Sequence, residues 1–258
     1  MRPTLLILLF LILFASCKEA TTNQKEKVQN TIPETEVIQK KDTIYDNLTK
    51  DFVLGKFNYR THSDFIKVET IHSSKTLYLN KEVYTAFVNM FEAAKNDGID
   101  LKIISGTRNF DEQKVIWERK WKTYNSLNPN ERALKILTYS SMPTTSRHHW
   151  GTDIDLNSLS NSYFSSGKGQ TEYNWLAKNA ETYGFYQPYT EKDHGRTGYN
   201  LEMWHWSYLP LASKYLKYYN NNIKYSDIEG FKGDSLAQSI EMIDRYVNGL
   251  SKKVKAYN

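Results

Sequence analysis

Ser146-Arg147-His148-His149-Trp150-Gly151-Thr152-Asp153-Ile154-Asp155 is the most informative stretch of the chain. Downstream, Glu202-Met203-Trp204-His205-Trp206 adds a second cluster of the same chemistry. Together they supply His148, Asp155 and His205 as candidate metal ligands, with Glu202 beside the last. A catalytic zinc takes three protein ligands and leaves a position for water. It lowers the pKa of that water to about 7, and a carboxylate within hydrogen-bond reach removes the proton. The chain has one cysteine, Cys17, so a four-cysteine zinc site is excluded and any metal must be held by His, Asp or Glu.

Spacing sets a geometric condition on that reading. A straight strand would hold His148 and Asp155 roughly 23 Å apart, at about 3.3 Å per residue. They can share an ion only if the chain folds back between them, and Gly151 permits the turn. On a strand, Glu202 and His205 would point to opposite faces. A turn over Glu202–Trp204 is therefore predicted before a strand that begins near Trp204.

These residues carry a resemblance. S-x-H-x-x-G-x-x-x-D followed by E-x-W-H is similar to the D-alanyl-D-alanine carboxypeptidases of the VanY type, within the lysostaphin, D-Ala-D-Ala and hedgehog metallopeptidase superfamily. Ser105-Gly106-Thr107-Arg108 with Gln113 resembles the S-G-x-R-x-x-x-x-Q segment of the same family, and the three motifs stand in the family's order. The resemblance implies Zn2+ held by His148, Asp155 and His205. It makes Glu202 the general base and then the acid that protonates the leaving amine. Arg108 would hold the scissile carbonyl oxygen, and Ser146 and Gln113 the terminal carboxylate of the substrate. Where the family commonly has a small apolar residue, this chain has Asp153. By alternation Asp153 shares a strand face with Asp155, which makes it a candidate to orient a ligand His.

The implied activity is a zinc carboxypeptidase removing a terminal D-alanine from peptidoglycan stem peptides. A D,D-dipeptidase, an L,D-carboxypeptidase, an endopeptidase, and a non-catalytic wall-binding lipoprotein on the same fold are the alternatives. The implied fold is α+β, a small antiparallel sheet flanked by helices, as in the hedgehog and D-Ala-D-Ala peptidases.

Around the motifs, Asn80 is a cap for a helix over Lys81–Asn96, where Val83, Phe87, Met90 and Ala94 recur at helical spacing. Leu101–Ile104 reads as a strand. Asn109 with Glu112 forms a capping box for a helix through about Lys122. Helices are expected over Pro129–Thr138, Thr171–Tyr183 and Leu211–Tyr218. Strands are expected over Thr152–Leu156 and Trp204–Tyr208, and a surface helix over Asp234–Leu250. The mixed order without regular alternation suits an α+β arrangement.

The ends read differently. Leu5–Ala15 is an unbroken apolar run behind Arg2, too short to span a bilayer, which takes about 20 residues, and fit for the core of a secretory signal. Ala15 and Ser16 then lead to Cys17, which resembles a bacterial lipoprotein signal with Cys17 as the lipidated residue. The expected organisation is a signal peptide over 1–16, a flexible tether over 17–45, a zinc peptidase domain over 46–218 and a C-terminal helical extension over 219–258. The protein is expected as an exported monomer, lipid-anchored to a bacterial membrane with peptidoglycan stem peptides as its partner. Hydrophobic residues at 40% and charged residues at 24% fit a folded core. A net charge of +5 with no dense Lys/Arg stripe gives no indication of nucleic acid.

Overall fold

A computed structural model describes residues 48–257. The signal, the tether and Cys17 lie outside the described residues. Among these, no helix is long and apolar enough to cross a membrane.

After a short helix α1 (Lys50–Val53), strands β1 (Phe65–Lys67) and β2 (Tyr78–Asn80) pair antiparallel. Asn80 ends β2 and starts α2 (Lys81–Asn96), its side chain accepting the Glu82 N–H. The apolar stripe of α2, including Val83, Phe87, Met90 and Ala94, is buried. The helix stops at Asp97, before Gly98 at φ +74°. Strand β3 (Ile103–Ser105) leads to α3 (Phe110–Thr123), which carries the Asn109/Glu112 capping box, and then to α4 (Pro129–Ile136). Strand β4 (Asp153–Leu156) is followed by α5 (Asn161–Phe164), α6 (Gly167–Asn179) and the short strand β5 (Phe185–Tyr186). Strand β6 (His205–Tyr208) runs into α7 (Leu209–Asn222), and α8 (Lys252–Lys255) lies near the end.

The protein is α+β, with small antiparallel sheets flanked by helices. Its main sheet has the order β3-β4-β6-β5, and every neighbouring pair is antiparallel. Register places Ser105 beside Asp155, and Asp155 beside His205. Alternation sends their neighbours Ile154 and Trp206 to the opposite side, into a hydrophobic cluster with α2, Trp150 and Tyr215 of α7.

A second cluster forms around Trp117, Ile136, Leu209, Phe231, Ile240 and Met242. It corrects the reading of the C-terminal tail. No continuous surface helix spans Asp234–Leu250: the segment has a 3-10 turn at Asp234–Leu236 and a π-type turn at Met242–Val247. Glu241 sits at φ +56° and interrupts a helical path. Ala237, Ile240, Met242, Tyr246 and Leu250 are buried in the same cluster as Trp117 and Phe231. Helix α7 also continues past residue 218 to Asn222; in the stretch expected as an extension, Tyr219, Ile223 and Val247 join the first cluster, and Ile228, Phe231 and Val254 join the second.

Candidate metal and catalytic site

The fold-back between His148 and Asp155 is a 3-10 turn over Arg147–Trp150, closed by Gly151 in the left-handed conformation at φ +69°. A Cβ on Gly151 would stand 2.4 Å from the Phe65 ring and 3.1 Å from the Asn80 backbone nitrogen. Only glycine suits both the dihedral and the space. Before β6, the His205 N–H reaches the Glu202 carbonyl at 3.3 Å, closing the predicted turn.

His148, Asp155 and His205 each offer a ligand atom, all within 4.8 Å of one another, and all three residues are buried. The His148 and His205 rings meet edge to face, with centroids 4.9 Å apart. Each imidazole has one nitrogen fixed from behind. His148 Nδ1–H donates to the Gly106 carbonyl at 2.8 Å, which leaves Nε2 facing Asp155 Oδ2 at 3.4 Å. His205 Nε2–H donates to Asp153 Oδ2 at 2.8 Å, which leaves Nδ1 facing Asp155 Oδ1 at 3.0 Å. Backing of this kind sets the tautomer that presents a lone pair to a metal. Two imidazole nitrogens and one carboxylate oxygen, converging and oriented, are a donor set suited to a divalent ion.

Glu202 Oε2 lies 3.6 Å from His205 Nδ1, and burial pushes its carboxyl up to about 8. Burial also disfavours a charged His205, and the neighbouring Asp153 and Asp155 carboxylates act in the opposite direction. Arg108 Nη1 lies 3.9 Å from Asp155 Oδ2 and hydrogen-bonds Ser105 Oγ. Arg108 Nε donates to Gln113 Oε1 at 3.0 Å, and Gln113 Nε2 donates to the Ser141 carbonyl at 2.8 Å. Gln113, expected at the substrate carboxylate, thus binds Arg108 and the Ser141 carbonyl and lines the cleft with one of its two amide N–H groups uncommitted. Ser146 Oγ is buried without a hydrogen-bond partner among the described residues, and Ser146 lines the cleft. That cleft measures about 580 Å³ and also includes Tyr139, Tyr189 and Trp204 in its walls.

Asp153, expected from alternation to orient a ligand His, stands behind His205 and brings with it Arg147 and Ser207, which were not read from sequence. Asp153 has no exposed surface. It accepts from Arg147 Nε at 3.0 Å, Thr152 Oγ1 at 2.7 Å and Ser207 Oγ at 2.9 Å, besides His205. Arg147 Nη2 in turn donates to Ser207 Oγ at 2.6 Å. Burial raises the Asp153 carboxyl, but the Arg147 charge and the His205 hydrogen bond prevail and hold it below the usual carboxylate range. The signal was present as an arginine and an aspartate flanking the Gly151 turn. His149 links two loops: its Nδ1–H donates to the Arg108 carbonyl at 2.7 Å and its Nε2 accepts the Thr144 N–H at 3.1 Å. Thr144 is β-branched and sits at φ +72°, a costly conformation on the loop that leads to Ser146. Burial lowers the His149 imidazole to about 3, so it stays neutral.

Residues 76–211, more than half of the chain, match the family model of VanY, D-alanyl-D-alanine carboxypeptidase. The carboxypeptidase homologue YodJ of Bacillus subtilis is 34% identical over 134 residues, covering 51% of this chain and 46% of YodJ. A D-alanyl-D-alanine carboxypeptidase of Enterococcus faecalis is 28% identical over 127 residues, covering 48% of this chain and 46% of that protein. The chain thus spans about half the length of these curated relatives. Among solved structures, VanYB in complex with D-alanine-D-alanine is similar at TM-score 0.49 and 23% identity, over 65% of this chain and 93% of that one. A mutant VanY D,D-pentapeptidase in complex with Zn(II) is similar at TM-score 0.48 and 23% identity, over 61% of this chain and 86% of that one. The matched segment holds Arg108, Gln113, Ser146, His148, Asp155, Glu202 and His205 together, and with that match the chain belongs to the VanY D-alanyl-D-alanine carboxypeptidase family.

Proposed function

We propose that the protein is a zinc-dependent carboxypeptidase that removes the terminal D-alanine from peptidoglycan stem peptides. The observation that carries the reading is the convergence of His148, Asp155 and His205 beside Glu202 at the base of a cleft. The donors suit zinc, which favours imidazole and carboxylate ligands and keeps one position open in catalytic sites. When bound, the ion supplies a Lewis acid and a water acidic enough to lose its proton near neutral pH.

The chain's own residues do the rest. Glu202, buried beside His205, takes the proton of the attacking water and delivers it to the departing amine. Arg108, held by Gln113 and Ser105, is oriented to accept the growing negative charge on the carbonyl oxygen. Ser146 Oγ has no other partner among the described residues and is free to hydrogen-bond the substrate. Tyr139, Tyr189 and Trp204 wall the cleft and limit water around the reacting atoms.

The test is incubation with defined tri-, tetra- and pentapeptide muropeptides, followed by mass spectrometry. Loss of one alanine from the pentapeptide is expected. Glu202→Ala should keep zinc and lose about 10²–10⁴-fold in rate. Near-normal turnover by that variant would remove Glu202 from the mechanism, and the absence of any product would end the peptidase reading. The proposal extends to location: export and lipid anchoring through Cys17, supported by the Leu5–Ala15 run and the small residues before the cysteine. Cys17→Ser should abolish palmitate labelling of the chain, and persistent label would defeat this part.

A further inference from the structure

Arg147 lines two cavities, the metal cleft and a second one of about 500 Å³, and it is the residue they share. The second cavity takes in a face of α7, where Leu209, Ser213, Leu216, Lys217 and Asn220 recur at helical spacing. The C-terminal stretch adds Asn248, Leu250, Val254, Lys255 and Tyr257. Apart from Arg147 and Leu209, every lining residue lies beyond residue 211, outside the segment that matches the family model. The chemistry of the metal cleft therefore does not account for this cavity.

Arg147 is its unusual member. The side chain is 2% exposed. Nε donates to Asp153 Oδ2 and Nη2 donates to Ser207 Oγ. Nη1 is buried and has no hydrogen-bond partner among the described residues. Asp153 and Ser207 take the Nε–Nη2 edge of the planar fork, which leaves both N–H groups of Nη1 and the second one of Nη2. Parallel donors on such an edge match the two oxygens of a carboxylate. A buried donor without an acceptor is costly, and folded proteins complete such groups with a ligand, an ion or water.

The rest of the lining says what kind of acceptor fits. It includes three cations, Arg147, Lys217 and Lys255, against one carboxylate, Asp244. Asp244 Oδ2 already accepts from the Tyr225 hydroxyl at 2.8 Å. Lys217 and Lys255 are exposed, and among the described residues neither forms an ion pair. The field therefore favours an anion. Leu209, Ala212, Leu216, Leu250 and Val254 supply apolar surface beside that charge. The volume falls within the roughly 300–1,000 Å³ of small-molecule sites, which combine apolar walls with a few placed polar groups.

We infer that the second cavity binds a small organic carboxylate. Its head sits on the Nη1 edge of Arg147, and its aliphatic body packs between α7 and the C-terminal stretch. The site is separate from the metal ligands and does not depend on the peptidase reading.

The test titrates hexanoate into the zinc-loaded full chain, followed by nuclear magnetic resonance of labelled methyl and guanidinium groups. Saturable shifts are expected at Leu216, Leu250, Val254 and Arg147. Hexanamide has the same body without the charge and should bind at least about 10-fold more weakly, as for a lost hydrogen bond to a charged group. Inorganic phosphate has charge without the body and should also bind more weakly. Ser213→Phe fills the cavity from α7 and should abolish hexanoate binding while zinc content and circular dichroism stay unchanged. Lys217→Glu should weaken binding about 2–5-fold, the effect of an exposed charge, and decides the matter where Ser213→Phe does not fold. Shifts confined to cleft residues such as Tyr139 and Trp204 would overturn the inference. So would equal binding of hexanamide, phosphate binding as tight as hexanoate, or affinity unchanged by both substitutions. A titration with no saturable shift would mean that solvent alone completes Arg147, and would overturn it too.

Discussion

Replacing Asp153 by Asn tests the support behind the metal-site candidate. The carboxylate accepts from Arg147, Thr152, Ser207 and His205. In Asn one end can still accept from Thr152 and Ser207, through Oδ1. The amide nitrogen then faces Arg147 Nε and His205 Nε2, donor against donor, and Arg147 becomes a buried cation without a counter-ion. Breaking a buried pair from one side costs about 3–5 kcal/mol, a large part of the roughly 5–15 kcal/mol that stabilises a domain. Urea unfolding of the metal-free chain should show that loss. Zinc affinity, measured by competition with a chromophoric chelator, should fall about 10–100-fold, the usual effect of losing such a partner. Because the folded chain holds the Asp153 carboxyl below its unfolded value, its stabilisation is complete above about pH 4 and fades as pH falls toward the folded value. The gap between wild type and variant should therefore narrow on acidification below about pH 4. Adding Arg147→Met should recover about 0.5–3 kcal/mol through coupling. A stability change below about 0.5 kcal/mol with unaltered zinc affinity would refute the reasoning.

Gly151→Ala should destabilise the fold by about 2–5 kcal/mol, combining the left-handed penalty with overpacking against Phe65; a thermal melt within error of wild type would contradict this. Removing divalent ions with a chelator should stop hydrolysis, and added zinc should restore it; activity that survives complete removal, checked by elemental analysis, would exclude a metal-dependent step. His149→Gln should flatten the pH dependence of stability. Folded His149 stays neutral down to about pH 3, whereas the unfolded imidazole takes up a proton below about pH 6.5. Wild type should therefore lose about 1.4 kcal/mol more per pH unit than the variant between pH 6 and 4, and parallel curves would refute that.

Much of the architecture was legible because local chemistry and tertiary packing agree. Asn80 and the Asn109/Glu112 pair mark helix starts in sequence and cap helices in the fold. Gly151 announced the reversal that brings His148 to Asp155. The tail was misread because its apolar residues follow a helical spacing that the conformation of Glu241 does not continue. The cluster they join, with Trp117 and Phe231, is fixed only by long-range packing. Gln113 was recognised by its motif, but its neighbour Ser141 is 28 residues away and no local pattern shows that both amide ends are used. The β1–β2 hairpin went unread because each strand has only three residues, too short for alternation to stand out.

The pairing of Asp155 with His205 across β4 and β6 has a consequence for how errors in folding are detected. Sliding one strand by a single residue would turn the imidazole inward and push the Trp206 indole outward. Such a molecule would be both unstable and chemically inert. If the proposed activity holds, selection for turnover also polices the alignment of the central strands, so that a mispaired sheet is penalised twice for one mistake.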